Sequence, residues 1–544
     1  MNDNSMLEKA FEFQKKNTLL ILLGIAVLGL LLRLAFINRT DITGDEAFYG
    51  MFAFKIAHTL LSNILAVIPA LLAIAVFSYF AFVKKNWKIT AILLAGFLLA
   101  KFAFKIPYLF YAPEFFLILQ SFGIALTGLK PNITGELIST FSTLGIAVCA
   151  FFICRKVFDE RTGIIAFALL MLSPFGIFIS ASSFRDSLGM FLGALSLALL
   201  AESTRQKKLL PLAGLALALG LSTRETVFAF IPAFAILAWT WRKEILSKEC
   251  RKEALVCSAL ILFAIAYNLP VIVGNSGITQ AYIQKYGSQV NDLSEQVHYS
   301  SFIADSIGGT ARTPSNLFYL NLAGLFYTPL LLVFTLGGAF LILKRRNSAQ
   351  LAILLLFLVF LIYFSAILSI QRTNYLAEIE FPMLAISAFA LAELSKHKHF
   401  WIVAALFLAA FAVQSAIVIQ QHDFKGFSQA VQKIPEGKTV YSSIGTDLPE
   451  YYLGIYALDT EVNNPFFKKF FPPDPERQKE FELKKSLILT DNKKHSAEEI
   501  DFLISSKTPD KLGLDAKEFR LCEELKSGKD TAFMLFANKR NNCP

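Results

Sequence analysis

The sequence predicts an all-α membrane protein: a polytopic bundle of about 13 transmembrane helices, with further helices in its exterior loops and a small soluble α/β domain after it. Composition is the first observation behind this prediction. Of the 544 residues, 55% are hydrophobic and 53 are phenylalanine, which is more apolar surface than a soluble core can bury. Patterning is the second, because apolar runs of about 20 residues alternate with clusters of lysine and arginine.

Apolar runs long enough to cross a hydrocarbon core of about 30 Å mark the predicted spans. We place them near residues 18–37, 63–83, 89–108, 136–154, 162–180, 187–202, 209–222, 226–241, 254–272, 317–343, 349–370, 376–394 and 400–420. The first run is too long for the core of a signal peptide, so we expect it to remain as an anchor.

The basic residues predict which side of the membrane each loop faces. Lys9, Lys15 and Lys16 precede the first span and keep the N-terminus in the cytoplasm by the positive-inside rule. Basic clusters return to that side after every second span, at residues 84–88, 155–156, 205–208, 242–252, 344–346 and 396–399. We therefore expect a multi-pass protein of the cell membrane. Its net charge of +10 then indicates contacts with membrane lipids and no nucleic acid.

An odd number of spans places residues 421–544 outside, and this segment is predicted to be a separate extracytoplasmic domain because its hydrophobicity falls and charged residues become frequent. A helical pattern at 497–504 accompanies β-rich runs at 439–441, 486–489 and 533–536, which is typical of an α/β module. Cys522 and Cys543 lie in this domain, and the sequence leaves open whether they pair.

Two adjacent carboxylates, Asp45 and Glu46, follow the outer end of the first span. In most loops such a pair is a solvated turn, but at the bilayer edge it is a candidate for chemistry, and the membrane context favours the second interpretation. Other exterior segments supply candidates for substrate binding: Tyr49 in 38–62, Glu114 in 108–131, and Tyr282 and His298 in 274–315.

The order of these pieces resembles the GT-C superfamily of integral-membrane glycosyltransferases, specifically the protein O-mannosyltransferase and aminoarabinose-transferase type (glycosyltransferase family 39-like). The family opens its first exterior loop with an Asp-Glu pair, as Asp45-Glu46 does here. Other matching segments are Tyr111 to Phe116, the helix pair 135–180, Asp186, and Arg372 to Tyr375 with Pro382. The resemblance implies that residues 1–420 form a GT-C-type catalytic domain.

One feature departs from the family pattern. The predicted spans near 63–83 and 89–108 interrupt the first exterior loop, which the family usually keeps continuous. A hairpin returns to its starting face, so the carboxylates stay outside. The tail also lacks a W-W-D-type motif, which argues against the oligosaccharyltransferase branch.

The resemblance implies transfer of a sugar from a polyprenyl (dolichyl or undecaprenyl) phosphate to a hydroxyl or amine on the extracytoplasmic face. The acceptor, whether glycan, lipid or protein, stays open. This chemistry needs a base for the acceptor proton and cations for the departing phosphate. We predict Asp45 as the base, with Glu46 and Asp186 beside it, and as phosphate ligands Arg372, Lys285 and Arg312.

We predict no metal or other cofactor, although a divalent cation on Asp45, Glu46 and Asp186 is physically possible. Several charges also have structural interpretations. Arg185 and Asp186 can pair at a helix start, and Arg224-Glu225 can close a hairpin, which we favour over a catalytic role. Arg33 is expected to snorkel at its helix end. A transporter or lipid flippase is the alternative function, but we see no repeated halves.

Overall fold

The computed structural model describes the greater part of the membrane region and of the C-terminal domain. The described residues are 22–37, parts of 49–57 and 72–84, 87–103, 114–183, 185–245, 250–268, 318–367, 375–397, parts of 400–414, 426–435, 437–442, 487–489, 495–505, 508–527 and 530–544.

Helices make up the membrane region. They are α1 (Leu22–Leu34), α2 (Trp87–Ala103), α3 (Glu114–Thr127), α4 (Pro131–Val157), α5 (Glu160–Met171), α6 (Pro174–Ser180), α7 (Arg185–Ser203), α8 (Leu210–Leu221), α9 (Phe230–Thr240), α10 (251–268), α11 (Phe318–Tyr327), α12 (Pro329–Arg345), α13 (Ser348–Ile362) and α14 (Leu376–Leu394). Short helical turns lie at Tyr79–Val83, Lys207–Leu209, Glu225–Ala229, Arg242–Ile245 and Tyr363–Ile367.

Local sequence explains where several of these helices begin. Proline occupies the first turn of α4, α6 and α12, where its missing N–H costs nothing. The side chain of Asp159 accepts a hydrogen bond from the amide of Thr162 and so caps α5. Asn347 caps α13 in the same way, through the amides of Ala349 and Gln350. The local sequence therefore marks where these helices begin.

The most enclosed helix of the bundle is α14. Every residue from Leu376 to Ala392 is buried, and the helix packs against α5, α12 and α13. Such burial on all sides is typical of a central helix. Around it, α4 packs against α5 and α7, and α7 packs against α8.

Within the described residues, three helices are long and apolar enough to cross a membrane: α4, α7 and α13 extended to Ser365. Helices α5 and α6 together make a fourth if they are one span bent by 50°. These four lie where the sequence predicted spans. The predicted total of about 13 stays a prediction.

The two predicted spans that interrupt the first exterior loop contain helical residues that the structure describes, in α2 and between 72 and 83. Ala81 is buried there against Val256 and Leu260 of α10. Leu94 of α2 and Leu215 of α8 pack against the same cluster. The extra hairpin is therefore docked on the bundle.

The predicted cytoplasmic clusters meet at one end of the bundle. Arg155 at the end of α4 forms an ion pair with Glu202 of α7 over 2.7 Å. Arg345 at the end of α12 pairs with Glu393 of α14 over 2.8 Å. Each pair joins two helices at ends that the predicted topology places in the cytoplasm, while the topology itself stays a prediction.

The C-terminal region contains a helix, α15 (Gly426–Lys433), and a five-stranded sheet. The strands are β1 (Val440–Ser442), β2 (Ile488–Leu489), β3 (Phe502–Ser505), β4 (Phe519–Ser527) and β5 (Asp530–Asn538). Their order is β2-β1-β3-β5-β4, with β1 parallel to both neighbours and β5 antiparallel to both of its own. The predicted α/β character is confirmed here, while the domain boundary at 421 stays a prediction.

One predicted element of this domain is wrong. The segment 497–504 was expected to be a helix, but only Ala497–Glu499 forms a helical turn and Phe502–Ser505 is β3. All four residues of β3 are buried, since β1 and β5 flank the strand. A short apolar run buried in a central strand resembles a helix in periodicity, and tertiary pairing decides the outcome.

Cys522 of β4 and Cys543 form a disulfide with their Cα atoms 5.4 Å apart. This answers the pairing question that the sequence left open. The other four cysteines, Cys149, Cys154, Cys250 and Cys257, are free and buried.

Candidate active site

Five charged side chains meet where several elements of the bundle begin. Arg185 and Asp186 start α7, Arg224 and Glu225 form the turn after α8, and Glu378 lies in the first turn of α14. We call these five residues the charged cluster. All lie at helix ends that the predicted topology places outside.

Arg224 is the centre of the charged cluster. Its Nε donates a hydrogen bond to Oε1 of Glu378 over 3.1 Å and lies 3.0 Å from Oδ1 of Asp186. Its Nη1 donates to Oε1 of Glu225 over 3.3 Å. The side chains of Arg224, Asp186 and Glu378 are 6%, 2% and 0% exposed, so the arginine meets both acids away from bulk water.

A glycine allows Arg224 to reach this position. The backbone of Arg224 is extended (φ −152°, ψ 125°), which brings its side chain against α7. A Cβ at Gly189 of α7 would lie 2.6 Å from Cβ of Arg224, closer than two carbon atoms can approach. Only glycine therefore fits at position 189 with the arginine in place.

Aromatic rings cover both guanidinium groups. The Tyr375 ring centroid lies 5.3 Å from Cζ of Arg224, and the Tyr49 ring centroid lies 5.6 Å from Cζ of Arg185. Tyr49 also packs edge-on against Phe116 of α3. The structure thus brings the predicted substrate-binding residue Tyr49 to the edge of the charged cluster.

Arg185 retains hydrogen-bonding capacity. Its Nη2 is 3.8 Å from Oε1 of Glu225, an ion-pair distance. Its Nη1 is buried and has no hydrogen-bond partner among the residues that the structure describes. A guanidinium with an unused donor is suited to bind an anion such as a phosphate oxygen.

The charged cluster changes two interpretations of the sequence. Asp186 pairs with Arg224, and Arg185 pairs with Glu225, so neighbouring residues reach different partners. Arg224 and Glu225 do pair at a hairpin, but Arg224 also links α7 to α14. Arg224 therefore connects these two helices in addition to closing the hairpin.

The position of the Arg33 side chain also differs from the prediction. It was expected to snorkel to the membrane surface, but its side chain is fully buried and donates to three backbone carbonyls and one hydroxyl. Its donors meet acceptors inside the bundle, at the break between α5 and α6, so the side chain turns inwards.

Most of the other predicted site residues lie outside the described residues: Asp45, Glu46, Tyr282, Lys285, His298, Arg312 and Arg372. Glu114 begins α3 as the predicted exterior helix, but its side chain is also outside the described part. The roles of these residues stay predictions.

Two buried acids, Glu378 and Glu380, were missed in the sequence. They stand near the start of a predicted span that is mostly apolar, and an ionisable residue inside a span is by itself a functional signal. The described residues contain no group of three or more metal-binding side chains. Of the three carboxylates that could hold a divalent cation, Asp45 and Glu46 lie outside the described residues and Asp186 contacts Arg224, so the prediction of no metal stays a prediction.

The chain is similar to known proteins in sequence and in fold. Residues 112–270 match the family model of dolichyl-phosphate-mannose-protein mannosyltransferase. No curated protein matches the sequence. The residues of the charged cluster other than Glu378 fall inside the matched region.

Three solved structures have a similar fold. ArnT from Cupriavidus metallidurans in the apo state is 13% identical, covers 96% of this chain and 98% of its own, and has a TM-score of 0.51. The structure of the same enzyme bound to undecaprenyl phosphate is also 13% identical in sequence. It has the same coverage and a TM-score of 0.50. The Archaeoglobus fulgidus oligosaccharyltransferase tethered with an acceptor peptide is 14% identical, covers 91% of this chain and 70% of its own, and gives 0.50.

The family model covers a central part of the membrane region, and the fold similarity extends over nearly the whole chain. Together they confirm the resemblance to the GT-C superfamily of integral-membrane glycosyltransferases.

Proposed function

We propose that this protein transfers a sugar from a polyprenyl phosphate to a hydroxyl or amine of an acceptor on the extracytoplasmic face of the membrane. The observation that carries the proposal is the unused donor of Arg185 within a buried charged cluster. A phosphate that leaves within a buried site is stabilised by such a donor, because bulk water does not reach its charge there.

The relatives support a donor carried by lipid. The C. metallidurans ArnT structure holds undecaprenyl phosphate, and the matched family is named for dolichyl-phosphate mannose. The fold similarity to glycosyltransferases also favours transfer over the transporter alternative. The A. fulgidus enzyme holds an acceptor peptide, so a protein acceptor stays alongside glycan and lipid acceptors.

The disulfide supports the proposed side of the membrane. Disulfides persist in oxidising compartments and are rare in the cytoplasm. Cys522 and Cys543 are paired, whereas Cys149 and Cys154 of α4 are free in the bundle. This distribution is expected if the C-terminal domain faces outwards.

In the proposed reaction the acceptor oxygen or nitrogen attacks the anomeric carbon of the sugar. Its proton passes to Asp45, which Glu46 and Asp186 assist, while the bond from the anomeric carbon to the phosphate oxygen breaks. The polyprenyl phosphate then leaves with both bonding electrons. Cations that stabilise it in this proposal are Arg185, Arg372, Lys285 and Arg312, and substrate contacts come from Tyr49, Glu114, Tyr282 and His298.

The decisive experiment uses the full chain in lipid nanodiscs with radiolabelled polyprenyl-phosphate sugars and no ion gradient. Asp45→Asn is expected to abolish transfer while donor binding persists, because the base is lost and the phosphate ligands remain. Asp41→Asn is the matched control in the same loop and should transfer normally. Full activity of Asp45→Asn counts against the base, and inactive wild-type protein with every donor counts against transfer.

A further inference from the structure

A second polar network is buried in the bundle on another side of α14. Glu380 follows Glu378 by two positions, so its side chain is rotated about the helix axis by about 200° relative to that of Glu378. It faces Tyr327 at the end of α11 and the break between α5 and α6. Arg33 of α1 enters the same region, and Arg33 and Tyr327 are both fully buried.

The break between α5 and α6 explains why an arginine is needed. Pro174 has no N–H, so the carbonyl of Leu170 loses its helical partner four residues ahead and keeps only a long bond of 3.4 Å from the amide three residues ahead. Arg33 supplies donors instead: Nη2 reaches the carbonyl of Leu170 over 3.0 Å, and Nη1 reaches that of Met171 over 2.6 Å. Its Nε donates to the hydroxyl of Thr143 in α4 over 3.0 Å.

Glu380 holds the other side of the same break. The Ser173 hydroxyl caps α6 by accepting from the amide of Gly176 over 2.8 Å, and it donates to Oε1 of Glu380. The same carboxylate oxygen accepts from the hydroxyl of Tyr327 over 2.6 Å. A Cβ at Gly176 would lie 2.9 Å from Nη2 of Arg33, so the two sides are closely packed.

We propose that this network acts as a positioning device for sugar transfer. We call it the helix joint and define it as Arg33, Ser173, Tyr327 and Glu380. The inference rests on the proposed function for its catalytic readout, because a positioning residue acts only through the groups that touch substrate.

The connections of the helix joint define what it positions. Helix α6 leaves the joint and leads to the turn before Arg185 and Asp186, so its direction sets where these two residues stand. Helix α14 carries Glu378, which meets Arg224 across from Asp186. The joint therefore fixes the two sides of the charged cluster relative to each other.

The catalytic test compares Arg33→Lys, Arg33→Met and Glu380→Gln with the wild type. A lysine ammonium cannot match the planar fork that reaches Thr143, Leu170 and Met171 at once. We expect kcat to fall about tenfold or more and the KM for donor to rise, because α6 positions Arg185, the proposed phosphate ligand, as well as Asp186. Arg155→Lys is the matched control, because Arg155 forms an interhelical ion pair at the other end of the bundle.

A second measurement does not depend on activity. Spin labels at Ile37→Cys and Ser182→Cys report the separation of the ends of α1 and α6 by EPR, and Arg33→Met should broaden their distance distribution. Unchanged distances and unchanged kcat in folded Arg33→Met protein overturn the inference, as does lower thermal stability with normal kcat. If the wild type transfers no sugar, the proposed function fails, whereas the distances still decide the helix joint.

Discussion

Arg224 and Glu378 stand 154 positions apart in the sequence, yet Nε of the arginine donates to Oε1 of the glutamate over 3.1 Å. The Glu378 side chain is 0% exposed, and the same nitrogen lies 3.0 Å from Oδ1 of Asp186. One guanidinium therefore compensates carboxylates from two helices, α7 and α14. Its loss removes the ion-pair partner that these two carboxylates share.

Arg224→Met is expected to lower the free energy of unfolding by about 3–5 kcal/mol, the range found when one partner of a buried ion pair is removed. Adding Glu378→Leu to Arg224→Met should recover part of this loss, because one uncompensated charge disappears. Thermal unfolding of the single and double variants in detergent measures the coupling. Strictly additive effects contradict the pairing.

Arg185→Gln tests the proposed phosphate ligand. A hydrogen bond to a charged group contributes about 1.5–3 kcal/mol, so polyprenyl phosphate should bind about tenfold to a hundredfold more weakly. The fold should persist, since Nη1 has no partner to lose among the described residues and the Nη2 contact with Glu225 is a long one of 3.8 Å. Arg205→Gln removes an exposed arginine near the opposite end of α7 and serves as the control. Equal affinity in both variants excludes Arg185 as a ligand.

Sequence patterns predicted the positions of the spanning helices that the structure describes, because each span must satisfy its own backbone in lipid. The positions of α4, α7 and α13 follow directly from their apolar runs. The bend between α5 and α6 was not predicted, although Ser173 and Pro174 interrupt the run and mark a helix boundary.

The charged cluster was only partly predictable for a different reason. Asp186 was selected because it matches an exterior aspartate of the resembled family. Its pairing with Arg224 depends on how α7 packs against the turn after α8, and sequence spacing does not contain that information. Gly189 is a clear example, because its role depends on the one side chain that lies opposite.

Asp501 gives the C-terminal domain a predictable pH dependence. Partial burial opposes its ionisation, but the Thr439 amide, the Asn541 side chain and two nearby cations, Lys438 and Arg540, together hold its pKa below the ordinary value. A carboxyl with a lowered folded-state pKa stabilises the fold above its unfolded value of about 3.9, and this stabilisation is lost as pH falls through the folded-state value.

Asp501→Asn should therefore reduce the loss of stability that β3 undergoes as the pH falls. Hydrogen exchange of the amides of Phe502–Ser505 in the full chain, followed from neutral to acidic pH, measures this. The exposed Asp515, which caps a surface turn, gives the control Asp515→Asn. If the stability of β3 in the wild type does not change as the pH falls below neutral, the lowered pKa of Asp501 is contradicted.

The disulfide provides a test of orientation. After mild reduction, Cys522 and Cys543 should react with a membrane-impermeant maleimide added to intact cells, because the C-terminal domain is proposed to face outwards. The four free cysteines are buried and should stay unlabelled. Labelling that requires cell lysis places this domain in the cytoplasm and contradicts the proposed site of reaction.

Gly189→Ala probes the charged cluster without changing any charge. The new methyl would lie 2.6 Å from Cβ of Arg224, a backbone-proximal atom that cannot rotate away, so the turn after α8 must shift from α7. Overpacking of this kind costs about 1–3 kcal/mol, and sugar transfer should fall because Arg224 can no longer hold Asp186 and Glu378 together. Gly96→Ala is the matched control, since nothing lies within 4 Å of its added Cβ and alanine favours a helix. Equal activity and equal melting temperature in the two variants show that the close approach at Gly189 is not required.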